Sequence, residues 1–271
     1  MDGRGVRVAR AGLRGGAVVL AVAVLGGCEG GIGIDPGPAA SAGAQDPGSD
    51  TGSGSGSGSG GSGAGPLKNP DGTKRGLAPL TSEADRSAGR ELIERVKTKG
   101  RGPKTGYDRD KFGYAWLDSA DGVPFAHNGC DTRNDLLARD GERLKYRSGS
   151  DCVVVSMTLR DPYTGKTIEW RKQSASKVQI DHVMPLSYDW QMGAARWDED
   201  KRKQIANDPL NLIPVDGPTN GSKSDSGPAS WLPPDKRIRC SYAVRFAQVS
   251  LKYELPVTAA DKRVMLRQCG G

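Results

Sequence analysis

The chain has 271 residues, 35% of them hydrophobic, with 39 Gly and only 3 Phe. A globular chain runs nearer half apolar, so part of this one cannot bury a core and the remainder amounts to one domain. The formal charge is +7, of which +6 falls on residues 82–271. This excludes an acidic surface and leaves polyanions open as partners; no apolar run reaches the roughly 18 residues of a membrane-spanning helix, which excludes an integral membrane protein but not a lipid anchor.

Arg4, Arg7, Arg10 and Arg14 precede the apolar run AVVLAVAVL at 17–25 and then Leu25-Gly26-Gly27-Cys28. A basic stretch, a short apolar stretch and small residues before a cysteine read as an export signal over 1–27. The pattern resembles the lipobox of bacterial lipoproteins. That implies a diacylglycerol on the Cys28 thiol and a domain anchored at the outer face of the cell membrane, or shed from it. The alternative is a plain secretory signal with an incidental cysteine. Residues 28–80 are rich in Gly, Ser, Pro and Ala and include TGSGSGSGSGGSGAG at 51–65. They predict a disordered tether with a span of roughly 40 Å, leaving a domain over 81–271.

Within that domain Thr81-Ser82 followed by Glu83 and Asp85 predicts a helix start. Ala84, Ala88, Leu92, Ile93 and Val96 fall on one face, and Gly100 is the stop signal. A short helix is predicted from Thr132 to Arg139. Strands are predicted at 152–158 and 166–171, joined by an Asp161-Pro162-Tyr163-Thr164-Gly165 turn, and at Val178–Val183. Residues 198–206 read as helix, Leu210–Val215 as extended, and Arg239–Tyr253 and Thr258–Gln268 as closing helices. The fold class is α+β with few strands.

Of five cysteines, lipid on Cys28 leaves Cys130, Cys152, Cys240 and Cys269. An even set in an exported chain reads as two disulfides. Three pairings exist; sequence proximity favours Cys130–Cys152 and Cys240–Cys269, because short loops close at less entropic cost. Buried free thiols are the alternative.

The chain has two histidines. His127 sits in a loop-like stretch and reads as a surface residue. His182 lies in Ile180-Asp181-His182-Val183-Met184-Pro185, followed by Asn207-Asp208-Pro209-Leu210-Asn211-Leu212 and by Thr219-Asn220-Gly221-Ser222-Lys223. An Asp-His pair alone is more often a turn, and Asn220-Gly221 alone is a turn signal. In order, D-H-x-x-P, N-L and N-x-x-K resemble the HNH endonucleases of the ββα-metal fold. Within them they resemble the exported group related to the C-terminal domain of modification-dependent restriction enzymes. The resemblance reaches Asp161–Gly165, Trp197, Trp231-Leu232-Pro233-Pro234 and the flanking cysteines, over roughly 82–271.

Phosphodiester hydrolysis needs a deprotonated water, neutralisation of the phosphorane charge and help for the leaving oxygen. A neutral imidazole suits the first task, so His182 is the candidate base. A divalent ion suits the others. The resemblance implies Asp181 and Asn220 as ligands of one ion, Mg²⁺ before Mn²⁺, which keeps much of its hydration. It also implies that Asn211, ahead of Asn207, holds the loop between the strands and steadies the base. Asp181 and His182 are adjacent, so a straight strand would point them to opposite faces; the strand is expected to end or bend there. Lys223 and Arg133 are candidate phosphate contacts, against a solvated lysine and a structural salt bridge. Trp190, Trp197 and Trp231 read as core. No base-reading motif is visible, so backbone contact without sequence preference is expected. The resemblance implies DNA before RNA and no protein partner. The alternatives are a catalytically inactive, envelope-anchored binding module on the nuclease fold, and a hydrolase of small phosphodiesters.

Overall fold

The computed structural model describes residues 63–270. The export signal and Cys28 lie outside them. Helix caps work as the sequence predicts. Ser82 accepts from Asp85 N at 3.0 Å and opens α1 (Glu83–Arg95). The helix stops short of Gly100 because Val96 turns extended and buries its side chain. Asp131 caps α2 (Thr132–Asp140).

Three antiparallel strands follow, β1 (Glu142–Tyr146), β2 (Val154–Arg160) and β3 (Thr167–Arg171), in the order β1-β2-β3. The Asp161–Gly165 turn closes the β2–β3 hairpin, with Thr164 N donating to the Asp161 carboxylate at 3.0 Å. Strand β1 was not predicted: ERLKY is polar and mostly exposed, an edge strand without alternation.

A second antiparallel pair carries the Asp-His dipeptide: β4 (Val178–His182) and β5 (Leu212–Asp216). Between them run α3 (Leu186–Met192) and α4 (Glu199–Asn207). A short helix, α5 (Gly217–Lys223), follows β5, and α6 (Arg239–Lys252) and α7 (Ala259–Gln268) close the chain. The architecture is mixed α+β. Helices α3 and α5 were not predicted; each is a single short element begun by proline or Asp216-Gly217-Pro218.

The ladder runs through Asp181↔Ile213 and His182↔Leu212, so the strand does not bend at the dipeptide. It ends after His182, and Pro185 opens α3. The two faces of the pair serve two cores. Val178, Ile180 and Leu212 pack with Leu136, Leu159 and Trp170. Ile213 and Val215 join the larger core built on α6, with Tyr242 and Phe246. Directly opposed residues share a face, so His182 sits with Leu212 on one side and Asp181 with Ile213 on the other.

Residues 66–80, expected in the tether, belong to this packed body. Leu77 and Leu80 are buried in the larger core. Gly76 N donates to Asp140 Oδ1 at 2.6 Å, and Leu80 N to Ser241 Oγ at 3.0 Å. Buried Arg245, whose guanidinium pKa desolvation lowers to about 10, donates to Leu210 O and Asn69 O. Gly72 has φ +75°, and a Cβ there would lie 2.3 Å from Leu210 N, so only glycine lets the strap pass. Composition hid this because the anchoring residues are few and scattered.

Both favoured disulfides form. Cys130–Cys152 joins the entry of α2 to the approach to β2, with Cα atoms 5.3 Å apart; Cys240–Cys269 joins the start of α6 to the end of α7 at 4.7 Å. Among the described residues no helix is long and apolar enough to cross a membrane.

Candidate active site

His182 is buried, and its Nε2 lies 3.0 Å from Ala206 O. Ala206 sits in the last turn of α4, where carbonyls lack intrahelical partners. A carbonyl only accepts, so Nε2 carries the proton and Nδ1 keeps the lone pair. Burial, with Arg109 nearby, depresses the imidazole pKa from 6.5 to about 3, so the ring is neutral at ordinary pH. Trp116 stacks on it, with ring centroids 6.1 Å apart and 15° between planes. Arg109, Phe112, Gly113, Tyr114 and Trp116 line a narrow cleft with His182 of about 20 Å³, enough for a single water molecule.

Asn211 is fully buried and ties the exit of β4 to the last turn of α4. Its Oδ1 accepts from Met184 N at 2.8 Å, and its Nδ2 donates to Met184 O at 3.1 Å and Ile205 O at 3.3 Å. The same two segments carry His182 and its acceptor Ala206. Asn207 instead accepts from Thr132 Oγ1 at 3.2 Å and donates to Lys203 O, anchoring α2 to α4.

Asp181 faces α5. Its Oδ1 lies 2.8 Å from Lys223 Nζ, and its Oδ2 accepts from Tyr163 OH at 2.6 Å. Burial raises the carboxyl pKa, against the pull of Lys223 and Tyr163. Lys223 Nζ also donates to His182 O at 2.7 Å. Asn220 lies one helical turn earlier and donates to Gln179 Oε1 at 2.8 Å. Two residues of strand and one turn of helix advance by similar distances, about 6.6 and 5 Å. The N-x-x-K spacing therefore matches Gln179-x-Asp181 face to face.

Two expectations are corrected here. Lys223 is completely buried, its ammonium is spoken for by Asp181 and the backbone, and it does not reach a phosphate in this arrangement. Arg133 donates to Val178 O at 3.2 Å, at the opposite end of β4 from His182, with its pKa lowered by burial; it braces the strand. For a divalent ion, a carboxylate and an amide oxygen are suitable donors. As arranged they do not fit one: both Asp181 oxygens are engaged, its side chain is 6% exposed, and an ammonium neutralises it. No group of three or more His, Cys, Asp or Glu among the described residues could hold a metal.

His127 is exposed and contacts Asp121 at 2.6 Å. Trp190 is buried, and Trp197 and Trp231 pack against the larger core. The residues that sequence reasoning missed are Tyr163, Arg109, Tyr114 and Trp116. The last three lie in RGPKTGYDRDKFGYAW at 101–116, where cations interleave with aromatics, the signal that could have found them. A wider concavity among the described residues, about 870 Å³, lies elsewhere. Its charges answer one another, Arg75 and Arg160 with Glu142 and Arg237 with Asp235, and it presents no comparable chemistry.

An uncharacterized secreted protein of Arthroderma benhamiae is 38% identical over 188 residues, covering 68% of this chain and 85% of the relative. No solved structure matches the chain. The family model of GmrSD restriction endonucleases, C-terminal domain, matches residues 131–268, which contain the Asp-His dipeptide, Asn211, Asn220, Lys223 and two of the four paired cysteines, Cys152 and Cys240, with Cys130 and Cys269 just outside its two ends. The chain belongs to the GmrSD restriction endonuclease C-terminal domain family.

Proposed function

We propose that this chain is an HNH-type endonuclease that hydrolyses phosphodiester bonds in DNA, ahead of RNA, without sequence preference. The observation that carries the reading is the state of His182. It is a neutral imidazole with its proton fixed on Nε2 by Ala206 O, which leaves the lone pair on Nδ1, and the residue lines a cleft that admits one water. In this mechanism Nδ1 takes a proton from the water as its oxygen attacks phosphorus. Asn211 holds the ring's acceptor and the strand end in one frame. The antiparallel β4–β5 pair with α5 packed against it supports a ββα assignment. A divalent ion, Mg²⁺ before Mn²⁺, belongs to this proposal only as one that binds after Lys223 leaves Asp181. The secreted relative supports export, and Cys28 is the proposed site of lipid attachment.

The test is digestion of plasmid DNA by the full chain with Mg²⁺, Mn²⁺ or EDTA, beside His182→Ala. Cleavage lost in the variant supports the reading. The engaged Asp181 favours one competing reading, an inactive binding module on the same fold. A folded chain that binds DNA but cuts neither DNA nor RNA under any of these conditions would establish it.

A further inference from the structure

The mouth of the His182 cleft is built by a segment that lies before the residues matched by the family model. Asp108 caps a short 3-10 turn, Arg109–Phe112, through a bond from Asp110 N at 2.9 Å. Phe112 is buried against Tyr107 and Trp190 and anchors the segment. Gly113 then turns the chain with φ +84°; a Cβ there would meet Lys203 Cγ at 2.8 Å. Trp116, two residues beyond Tyr114, is anchored in turn on His182. Between these anchors Tyr114 projects into solvent, 84% exposed. A large aromatic held outward between buried Phe112 and half-buried Trp116 is placed for a face-on contact.

Arg109 is exposed and lines the same cleft. Its charge is felt at His182. Among the described residues no carboxylate pairs with it, whereas Arg139, Arg143 and Arg237 each hold one. Cation and aromatic thus flank the candidate base together. A polynucleotide strand offers both complements at one nucleotide's spacing, a phosphate for the guanidinium and a base face for the ring.

We propose that Arg109 and Tyr114 form a strand-binding site at the mouth of the His182 cleft. Arg109 grips a backbone phosphate and Tyr114 stacks on the neighbouring base. The proposal rests on the nuclease reading of that cleft, and it assigns the site to single-stranded DNA. Stacking on any base is sequence-tolerant, in keeping with the absence of a base-reading motif.

The experiment is fluorescence anisotropy of a short labelled single-stranded oligodeoxynucleotide with the full chain in EDTA, across a salt series. Tyr114→Ala is expected to weaken binding about 5- to 100-fold. Arg109→Gln is expected to weaken it and to reduce the salt slope by about one released counterion. Tyr146→Ala, which removes the other exposed large aromatic among the described residues, on β1 and outside the lining of the cleft, serves as the unaffected control. Equal affinities and salt slopes for wild type, Tyr114→Ala and Arg109→Gln would overturn the site even if plasmid DNA is cut by the wild type. Binding that depends on both residues in a chain that cuts nothing would uphold the site and overturn the nuclease reading.

Discussion

The ring nitrogen facing Ala206 O must carry the proton, and burial then decides how His182 responds to pH. Its folded pKa is about 3 against 6.5 unfolded, so the unfolded chain binds the extra proton first as pH falls. The stability held by the neutral ring is present above 6.5 and is lost progressively toward 3. Urea unfolding midway through that range should show lower stability than at neutral pH, and His182→Asn should shrink the difference. Activity should not lose its base on crossing 6.5; an acid limb near 6.5 in kcat/KM would place the base elsewhere. The buried Asp181–Lys223 pair behaves differently. Lys223→Met leaves a buried carboxyl with only Tyr163, and should cost about 3–5 kcal/mol in urea unfolding. Adding Asp181→Asn should return part of that loss, since the uncompensated charge goes with it.

At the scale of elements, α3 carries an oddity of its own. Asp189 is fully buried and neither carboxylate oxygen has a hydrogen-bond partner among the described residues. Burial raises its pKa well above 3.8. The folded state therefore keeps a proton that the unfolded state releases, so stability falls as pH rises through the usual carboxylate range. Asp189→Asn should raise Tm at neutral pH by about 2–4 °C, corresponding to about 1 kcal/mol, with a smaller gain in acid. The long helices and the β2–β3 hairpin were legible because their caps and turn residues act within a few positions of the chain. Helices α3 and α5 were not. Each spans seven residues, too short for apolar periodicity to register, and each is held by tertiary contacts such as Tyr188–Asp261 and Lys223–Asp181.

For the whole molecule the strap before α1 changes where the folded body begins. A chain begun at residue 81 loses the burial of Leu77 and Leu80, about 3–6 kcal/mol together. It also removes one acceptor of buried Arg245, Asn69 O, and one donor to Asp140, Gly76 N, leaving Arg245 with Leu210 O and Asp140 with Arg139. Against the 5–15 kcal/mol that usually holds a domain, thermal melts should show that chain largely unfolded or strongly destabilised beside the full chain. The disulfides act at the same scale. Closing loops of 22 and 29 residues should contribute about 3 kcal/mol each, so reduction should lower Tm clearly.

By itself the sequence determined the class of fold, the long helices, the disulfide partners nearest in the chain and the ordered Asp-His, Asn-Leu, Asn-x-x-Lys motif. Each of these is written in residues close together or in a fixed order, and local sterics, capping and loop entropy read them directly. The tertiary structure alone decided that Asp181 and His182 serve opposite faces of one strand. It decided that Lys223 and Tyr163 close on Asp181, that Arg133 braces Val178 instead of approaching His182, and that Arg109, Tyr114 and Trp116 surround the imidazole. Those outcomes depend on which surfaces meet across long stretches of chain, and packing between distant elements leaves no short-range signature to read.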